Sequence, residues 1–383
     1  MSNAVPLEWV VHRQGDVCEF SNGRAYKLTE WETEGTPVIR LQNLTGSGKD
    51  YYYSNLILPD RQYCEKGDLL YMWSATFGPH LWAGPKAIYH YHIWKVMPDE
   101  VSLTRCYSFH LLGYKTDEWL TQSNGMGILH VTKGSMEGLP LTLPPLPEQK
   151  KIAAILSSVD DVIAKTQAQI DKLKDLKIGM MQELLTKGIG HTKFKDSAVG
   201  LIPARWDIVP LVEFSLNEKY SFVNGPFGSD LLSSELKDSG VPVIYVRDLK
   251  GAEYSRVSTA CVTDEKADSL PACNVIKGDV VIAKVGDPPC SSGVYEEDSR
   301  SIVTQDVIRI RPDTQVDSFF LSYLLNSSLG RKQIGKIEIS GTRTRVSLTE
   351  LKKLFFPRPS YEEQVELGNI FRSVDRRIEM ATL

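Results

Sequence analysis

The stretch SGTRTRVSLTELKKL, Ser340 to Leu354, sets Thr342, Arg343, Thr344 and Arg345 side by side behind a glycine. A guanidinium can bridge the O6 and N7 edge of guanine, and a threonine hydroxyl can reach a base or a phosphate. The segment sits in a local excess of positive charge. From Arg331 to Arg358, Arg331, Lys332, Lys336, Arg343, Arg345, Lys352, Lys353 and Arg358 are opposed only by Glu338 and Glu350. The whole chain carries a net charge of −4, so affinity for a polyanion has to come from such a concentration. An earlier segment of similar make-up, SNGMGILHVTKGSM (Ser123 to Met136), offers Asn124, His130, Thr132 and Lys133. Two Asn-Gly stretches, FSNGRAYKL and FVNGPFGSDL, add Asn22, Arg24, Asn224 and Ser229 as candidate contacts, with Trp73 and Lys284 beside them.

No catalytic constellation stands up beside these. VGDPPC (Val285 to Cys290) is similar to the D-P-P-Y motif of amino-methyltransferases, in which an aromatic stacks on the flipped base. Cys290 replaces that aromatic, and no F-x-G-x-G cofactor loop precedes it, so the stretch reads as a proline turn after a strand. TGSGKD imitates a phosphate loop, but Asn43 takes the first glycine position and Asp50 replaces the magnesium-binding hydroxyl. His90 and His92 in AIYHYHIW, read as one strand, share a face without a third ligand, which leaves them as packing or surface residues. The six cysteines are scattered like the reduced thiols of a cytosolic protein. No apolar run is long enough for a bilayer and no signal-peptide pattern is present, so the expected location is cytoplasmic, with no membrane partner.

What positions the candidate contacts is a duplicated architecture. In a chain of 383 residues, PLEW returns as PARW, TPVIRLQNL as VPVIYVRDL, and EKGDLLYMWS as IKGDVVIAKV. PPLPEQKKIAAILSSVD returns as RPSYEEQVELGNIFRSVD. The matches keep their order at offsets of roughly 200 to 215 residues, far longer than a solenoid repeat. Two bodies of the same fold are therefore expected. PVIRL, DLLYMWS, AIYHYHIW, PVIYV, DVVIAKV and DVIRIRP read as short strands, and helices are expected at Ser318 to Leu325 and Thr349 to Leu354. Each body reads as α+β with a strongly twisted, mainly antiparallel sheet.

Pro144, Pro145 and Pro147 end the first body, and a heptad pattern follows. Ile152, Val159, Thr166, Leu173 and Met180 form one series; Ile155, Val162, Gln169, Leu176 and Glu183 form the other. Leu156, Ile163, Ile170 and Leu184 widen the stripe, and Lys187-Gly188 stops it. A helix of about forty residues, roughly 55–60 Å long, has to bury such a stripe. The repeat supplies a partner from Glu362 onward. For a compact molecule the partner runs back antiparallel, placing two bodies at the ends of a strut with pseudo-two-fold symmetry.

These segments together resemble the specificity (S) subunit of type I restriction–modification systems. The match rests on the P-L-P-E-Q-x-x-I-A-x-I-L start, the long helix, the L-x-T-K-G-I stop and the I-P-x-x-W re-entry, all in register. The resemblance implies target-recognition domains at residues 1–147 and 188–360, a spacer helix at 148–187 and a C-terminal helix at 361–383. It implies a non-catalytic subunit that reads a bipartite site on double-stranded DNA. Two methyltransferase subunits would dock on the spacer helices, through Ile152, Ile155, Leu156, Val159, Val162, Ile163, Leu173, Leu176 and Met180. S-adenosylmethionine would be carried by the methyltransferase, with no cofactor or metal on this chain, and a motor-nuclease subunit could join for cleavage. The rival reading is a coiled-coil scaffold carrying duplicated protein-binding modules. The second helix, 22 residues from Glu362, falls short of the first, so a truncation or a completing polypeptide is expected, with asymmetric docking of the methyltransferases.

Overall fold

The computed structural model describes residues 6–122, 132–226, 228–251 and 253–382. The chain divides into two compact units, Met1–Lys165 and Thr166–Leu383.

In the first unit, β1 (Val10–Arg13) is followed by β2 (Cys18–Asn22), β3 (Thr36–Ile39), β4 (Tyr52–Ser54) and β5 (Tyr63–Cys64). Next come β6 (Leu69–Ser74), β7 (Thr76–Leu81), β8 (Ala87–Tyr89) and β9 (Ile93–Pro98). Helices α1 (Arg105–Gln122) and α2 (Lys133–Glu137) lead to β10 (Pro140–Leu143) and to α3 (Leu146–Lys187), whose residues 146–165 belong to this unit. Two four-stranded sheets form, in the orders β2-β9-β6-β7 and β4-β3-β8-β5, and β1 pairs with β10. Within these two sheets β3 and β8 run parallel and the other pairs antiparallel. Alternation along β6 splits the core. Leu69 and Tyr71 join Phe20, Trp94, Tyr107 and Leu112 on the helix side, while Leu70 and Met72 join Ile39, Tyr89 and Cys64 between the sheets.

The second unit repeats the plan. Its strands are β11 (Asp207–Pro210), β12 (Phe222–Asn224), β13 (Val241–Ile244), β14 (Cys261–Val262), β15 (Asn274–Val275) and β16 (Val280–Ala283). They continue as β17 (Ser292–Val294), β18 (Ser301–Val303) and β19 (Val307–Ile310), before α4 (Ser318–Asn326) and α5 (Ser328–Ile334). A short hairpin, β20 (Glu338–Ile339) and β21 (Arg345–Val346), precedes α6 (Leu348–Lys353), β22 (Phe355–Arg358) and α7 (Tyr361–Thr382). The sheets are β12-β19-β16-β17 and β14-β13-β18-β15, and β11 pairs with β22. These sheets, including the parallel pair β13–β18, keep the strand order of the first unit, and the second unit adds short hairpins at residues 194–203 and 249–254.

The expected α+β body with mainly antiparallel sheets is what each unit shows, but AIYHYHIW is not one strand: it breaks into β8 and β9 around a turn at His90, Tyr91 and His92, and the two strands join different sheets. The reading of His90 and His92 as strand residues on one face is corrected accordingly.

Both recurrent E-Q pairs begin a helix, and the reason is visible. Gln149 is fully buried; its Oε1 accepts from Thr104 N (2.9 Å), and its Nε2 donates to Ser102 O (2.7 Å) and Pro144 O (2.9 Å). Gln364 does the same with Asp317 N (3.1 Å), Pro359 O (3.0 Å) and Gln315 O (3.3 Å). Each amide locks a helix start to the loop that leads into, or out of, the neighbouring helix. Glu363 adds a second lock, accepting from Ile189 N (3.0 Å) and Trp206 Nε1 (2.9 Å), with His191 Nε2 2.9 Å away.

α7 runs antiparallel to residues 166–187 of α3: Glu363 lies beside Ile189, and Asp375 lies 2.5 Å from Lys177. The buried face of that stretch carries Ile170, Met181 and Leu185, with Leu173, Lys177 and Met180 half-buried. Leu176, assigned above to the apolar seam, is 52% exposed. The strict heptad missed the register because this stretch packs onto a globular core that includes Trp206 and Phe371, as well as onto another helix.

Candidate nucleic-acid interface

In both units the same turn closes one corner of the paired sheets, and the same backbone bonds hold it. His90 N donates to Ile39 O (2.9 Å) and Ile93 N to His90 O (2.9 Å); Thr304 N donates to Ile244 O (3.1 Å) and Val307 N to Thr304 O (2.9 Å). From the adjacent strand, Trp73 N donates to His92 O (3.3 Å) and Lys284 N to Asp306 O (2.8 Å). The glycines of the two Asn-Gly stretches lie against this turn. A Cβ on Gly23 would stand 2.2 Å from His90 O, and one on Gly225 would stand 2.2 Å from Thr304 O, so only glycine fits at either place. His90-Tyr91-His92 and Thr304-Gln305-Asp306 are therefore equivalent turns on equivalent supports, with different side chains.

In the second unit this turn lines a cavity of about 500 Å³ with Tyr245, Arg247 and Arg343. Asp248 fastens the loop that carries Tyr245 and Arg247: fully buried, it accepts from Tyr245 N (2.8 Å), Val257 N (2.9 Å) and Ser258 N (2.8 Å). Ser258 Oγ in turn takes a hydrogen bond from Arg247 Nε (2.7 Å), which leaves the rest of the guanidinium over the Tyr245 ring. The hairpin bearing Thr342, Arg343, Thr344 and Arg345 is tied to the same sheet, with Gly286 N donating to Thr344 O (3.0 Å) and Val346 N to Lys284 O (3.2 Å). Thr342, Arg343 and Arg345 are exposed, and among the described residues neither arginine forms an ion pair.

Other cations of the basic segment are otherwise engaged. Arg331 is half-buried, and its Nη2 donates to Asn326 Oδ1 (2.7 Å); burial holds its guanidinium below the ordinary range. Lys353 pairs with Glu350 (2.8 Å), and Lys352 rests on the Phe222 ring. Asn224 turns its amide onto Gly225 O (3.1 Å), and Ser229 belongs to a short turn at Gly228–Asp230.

The first unit presents rings at the matching corner. Tyr91 and His92 have centroids 3.8 Å apart, His90 and His92 5.1 Å, and Trp73 lies 5.7 Å from His92. Burial, then the fields of His92 and Arg40, depress His90 to about 4. Arg40 sits over Tyr52 and Trp31, and Trp31 stacks on Tyr26 (4.9 Å). Asn22 is exposed at the end of β2, but Arg24 is paired with Glu30 (2.5 Å) and so is held for structure. Thr132 caps α2, accepting from Ser135 N (3.2 Å), and Lys133 lies 3.4 Å from Glu137. Asn124 and His130 lie outside the described residues.

Sequence reasoning missed Gln305, Tyr245 and Arg247. The one signal was alignment: once the Asn-Gly stretches are superposed, the turn that each glycine touches falls at the same place in both units.

On α3 the first-unit portion buries Ala153 and packs Ile152, while His110 Nε2 lies 3.0 Å from Ser157 Oγ. Beyond that, Ile155 (56%), Leu156, Val159, Val162 (60%) and Ile163 form an exposed apolar stripe.

A module carried twice in one chain, each copy closed by a helix start of the same construction, defines a duplicated α+β recognition protein. The chain belongs to the type I restriction modification DNA specificity domain family, whose domain matches residues 6–175 and 227–382. It is 28% identical over 384 residues to the type I restriction enzyme MjaVIII specificity subunit of Methanocaldococcus jannaschii, covering 98% of this chain and 88% of the relative. It is 23% identical to the EcoBI specificity subunit of Escherichia coli, over 94% of this chain and 77% of that one. In fold it is similar to the crystal structure of the S subunit from M. genitalium, with a TM-score of 0.61 at 14% identity, over 100% of this chain and 92% of that one. Its role is that of a specificity subunit of a type I restriction–modification system.

Proposed function

We propose that the chain is the non-catalytic subunit that reads a bipartite site on duplex DNA, one half-target per recognition domain. The observation that carries this is the strand-for-strand repetition of two sheets ending in equivalent turns whose side chains differ. Equal scaffolds with unequal surfaces suit a split target with two different halves. The domains are taken as residues 1–147 and 188–360, and α3 serves as spacer. The stripe Ile155, Leu156, Val159, Val162 and Ile163 is too large an apolar face to leave in water and is read as the dock for methyltransferase subunits. S-adenosylmethionine belongs to those partners, which methylate adenine, and the complex works in the cytoplasm, where a motor-nuclease subunit can join.

The test is duplex binding by the chain with its methyltransferase, titrated with salt. Retention of a duplex that weakens steeply as salt rises is expected. No retention at low salt with the methyltransferase present would favour a protein scaffold.

A further inference from the structure

We propose that the turn Thr304-Gln305-Asp306 is a specificity-determining element of the second domain, with Gln305 reading a base edge, and that Tyr91 holds the equivalent place in the first domain. This rests on the reading of the chain as a DNA specificity subunit. Gln305 is exposed, and among the described residues no hydrogen bond engages its amide. It faces two cavities at once: the one of about 500 Å³ shared with Arg247 and Arg343, and another of about 230 Å³ reached past Tyr245 and Thr304. A glutamine amide makes the paired donor and acceptor bonds that adenine N7 and N6 demand, and Arg343 on the rim suits a neighbouring guanine. The backbone on either side of it is held, Thr304 by Ile244 O and the close approach of Gly225, and Asp306 by Lys284 N. An immobile backbone with an uncommitted polar tip is what discrimination between bases needs. In the first domain, the tip is Tyr91 flanked by two imidazoles and Trp73, a surface suited to apolar contact and stacking. The two half-targets then differ because these tips differ.

The experiment uses the full chain with its methyltransferase and duplexes varied one base pair at a time from the target mapped for the wild-type complex. Gln305→Ala is expected to lower discrimination at one or two positions of one half-target by roughly 10- to 100-fold, and to leave the other half untouched. Gln305→Glu, which can only accept, shifts preference at that position from adenine towards cytosine. Arg343→Ala acts in the same half, and Tyr91→Ala in the opposite one. Unchanged discrimination in both Gln305 variants overturns the proposal, as does an effect of Gln305 and Tyr91 on the same half. A wild-type complex that yields no split target would instead refute the underlying reading, and the proposal with it.

Discussion

Replacing Gln364 by alanine removes the amide that ties the start of α7 to the loop before α4. The residue is 1% exposed, so no water replaces what is lost. Asp317 N loses its acceptor, and Pro359 O and Gln315 O each lose a donor. A buried orphan N–H costs about 1–3 kcal/mol, and each weakened carbonyl about 0.5–1 kcal/mol more. The sum, about 2–5 kcal/mol, is local because Asp317 itself caps α4 through Phe320 N (2.7 Å). Hydrogen exchange read by mass spectrometry over residues 315–326 and 361–372 reports it without assuming one global transition. Exchange there should accelerate by a factor on the order of 30 to 4,000, with the first unit unchanged. Gln364→Glu should be at least as damaging, since a carboxylate would face two carbonyl oxygens. Acceleration below about fivefold in the alanine variant would refute the idea that this amide fastens the helix.

Gln149→Ala should produce the mirror result, with faster exchange confined to residues around Thr104 and the start of α3. His90, held at about 4 against an ordinary 6.5, stays neutral in the folded chain while the unfolded chain takes up a proton below about 6.5. The stability of the first unit should therefore fall as pH drops from 6.5 towards 4, and urea titrations of His90→Asn should show a flatter profile. Asp375→Ala leaves Lys177 without its carboxylate and Tyr323 without its acceptor, and should destabilise the end of α7 by about 2 kcal/mol in exchange measurements; adding Lys177→Met should recover part of the loss. Ile155→Asp with Val162→Asp, both at exposed sites, should leave the melting of the chain unchanged while weakening methyltransferase capture at least tenfold in calorimetry.

Much of this architecture is legible in the residues because the chain states it twice. The matched blocks mark strands that fill the same places in both units, and the repeated Gln149 and Gln364 are buried fastenings at both helix starts. Other parts depend on tertiary contact. α1 went unread because its polar stretch LLGYKTDEW hides a buried side made of Tyr107, Leu112 and Thr116, the last bonded to Tyr71 Oη (2.8 Å). The division of AIYHYHIW is invisible to a period-two reading, since Tyr89 and Ile93 are both buried while serving different sheets. Among the candidate contacts, charge alone could not separate Arg343 and Arg345, which face solvent, from Arg331, Arg24 and Lys352, which are held by Asn326, Glu30 and the Phe222 ring. Gln305 carries no charge and no motif, so its place on the turn emerges only once the two units can be laid over each other.

The most direct test is to co-express the chain with its methyltransferase in a host lacking adenine methylation and to map methylated adenines across the genome. Two short defined blocks separated by a constant undefined gap are predicted, with the blocks unlike each other. A single uninterrupted motif, a variable gap, or no methylation from an active methyltransferase would contradict the claim that two recognition units in this chain each read half of one site.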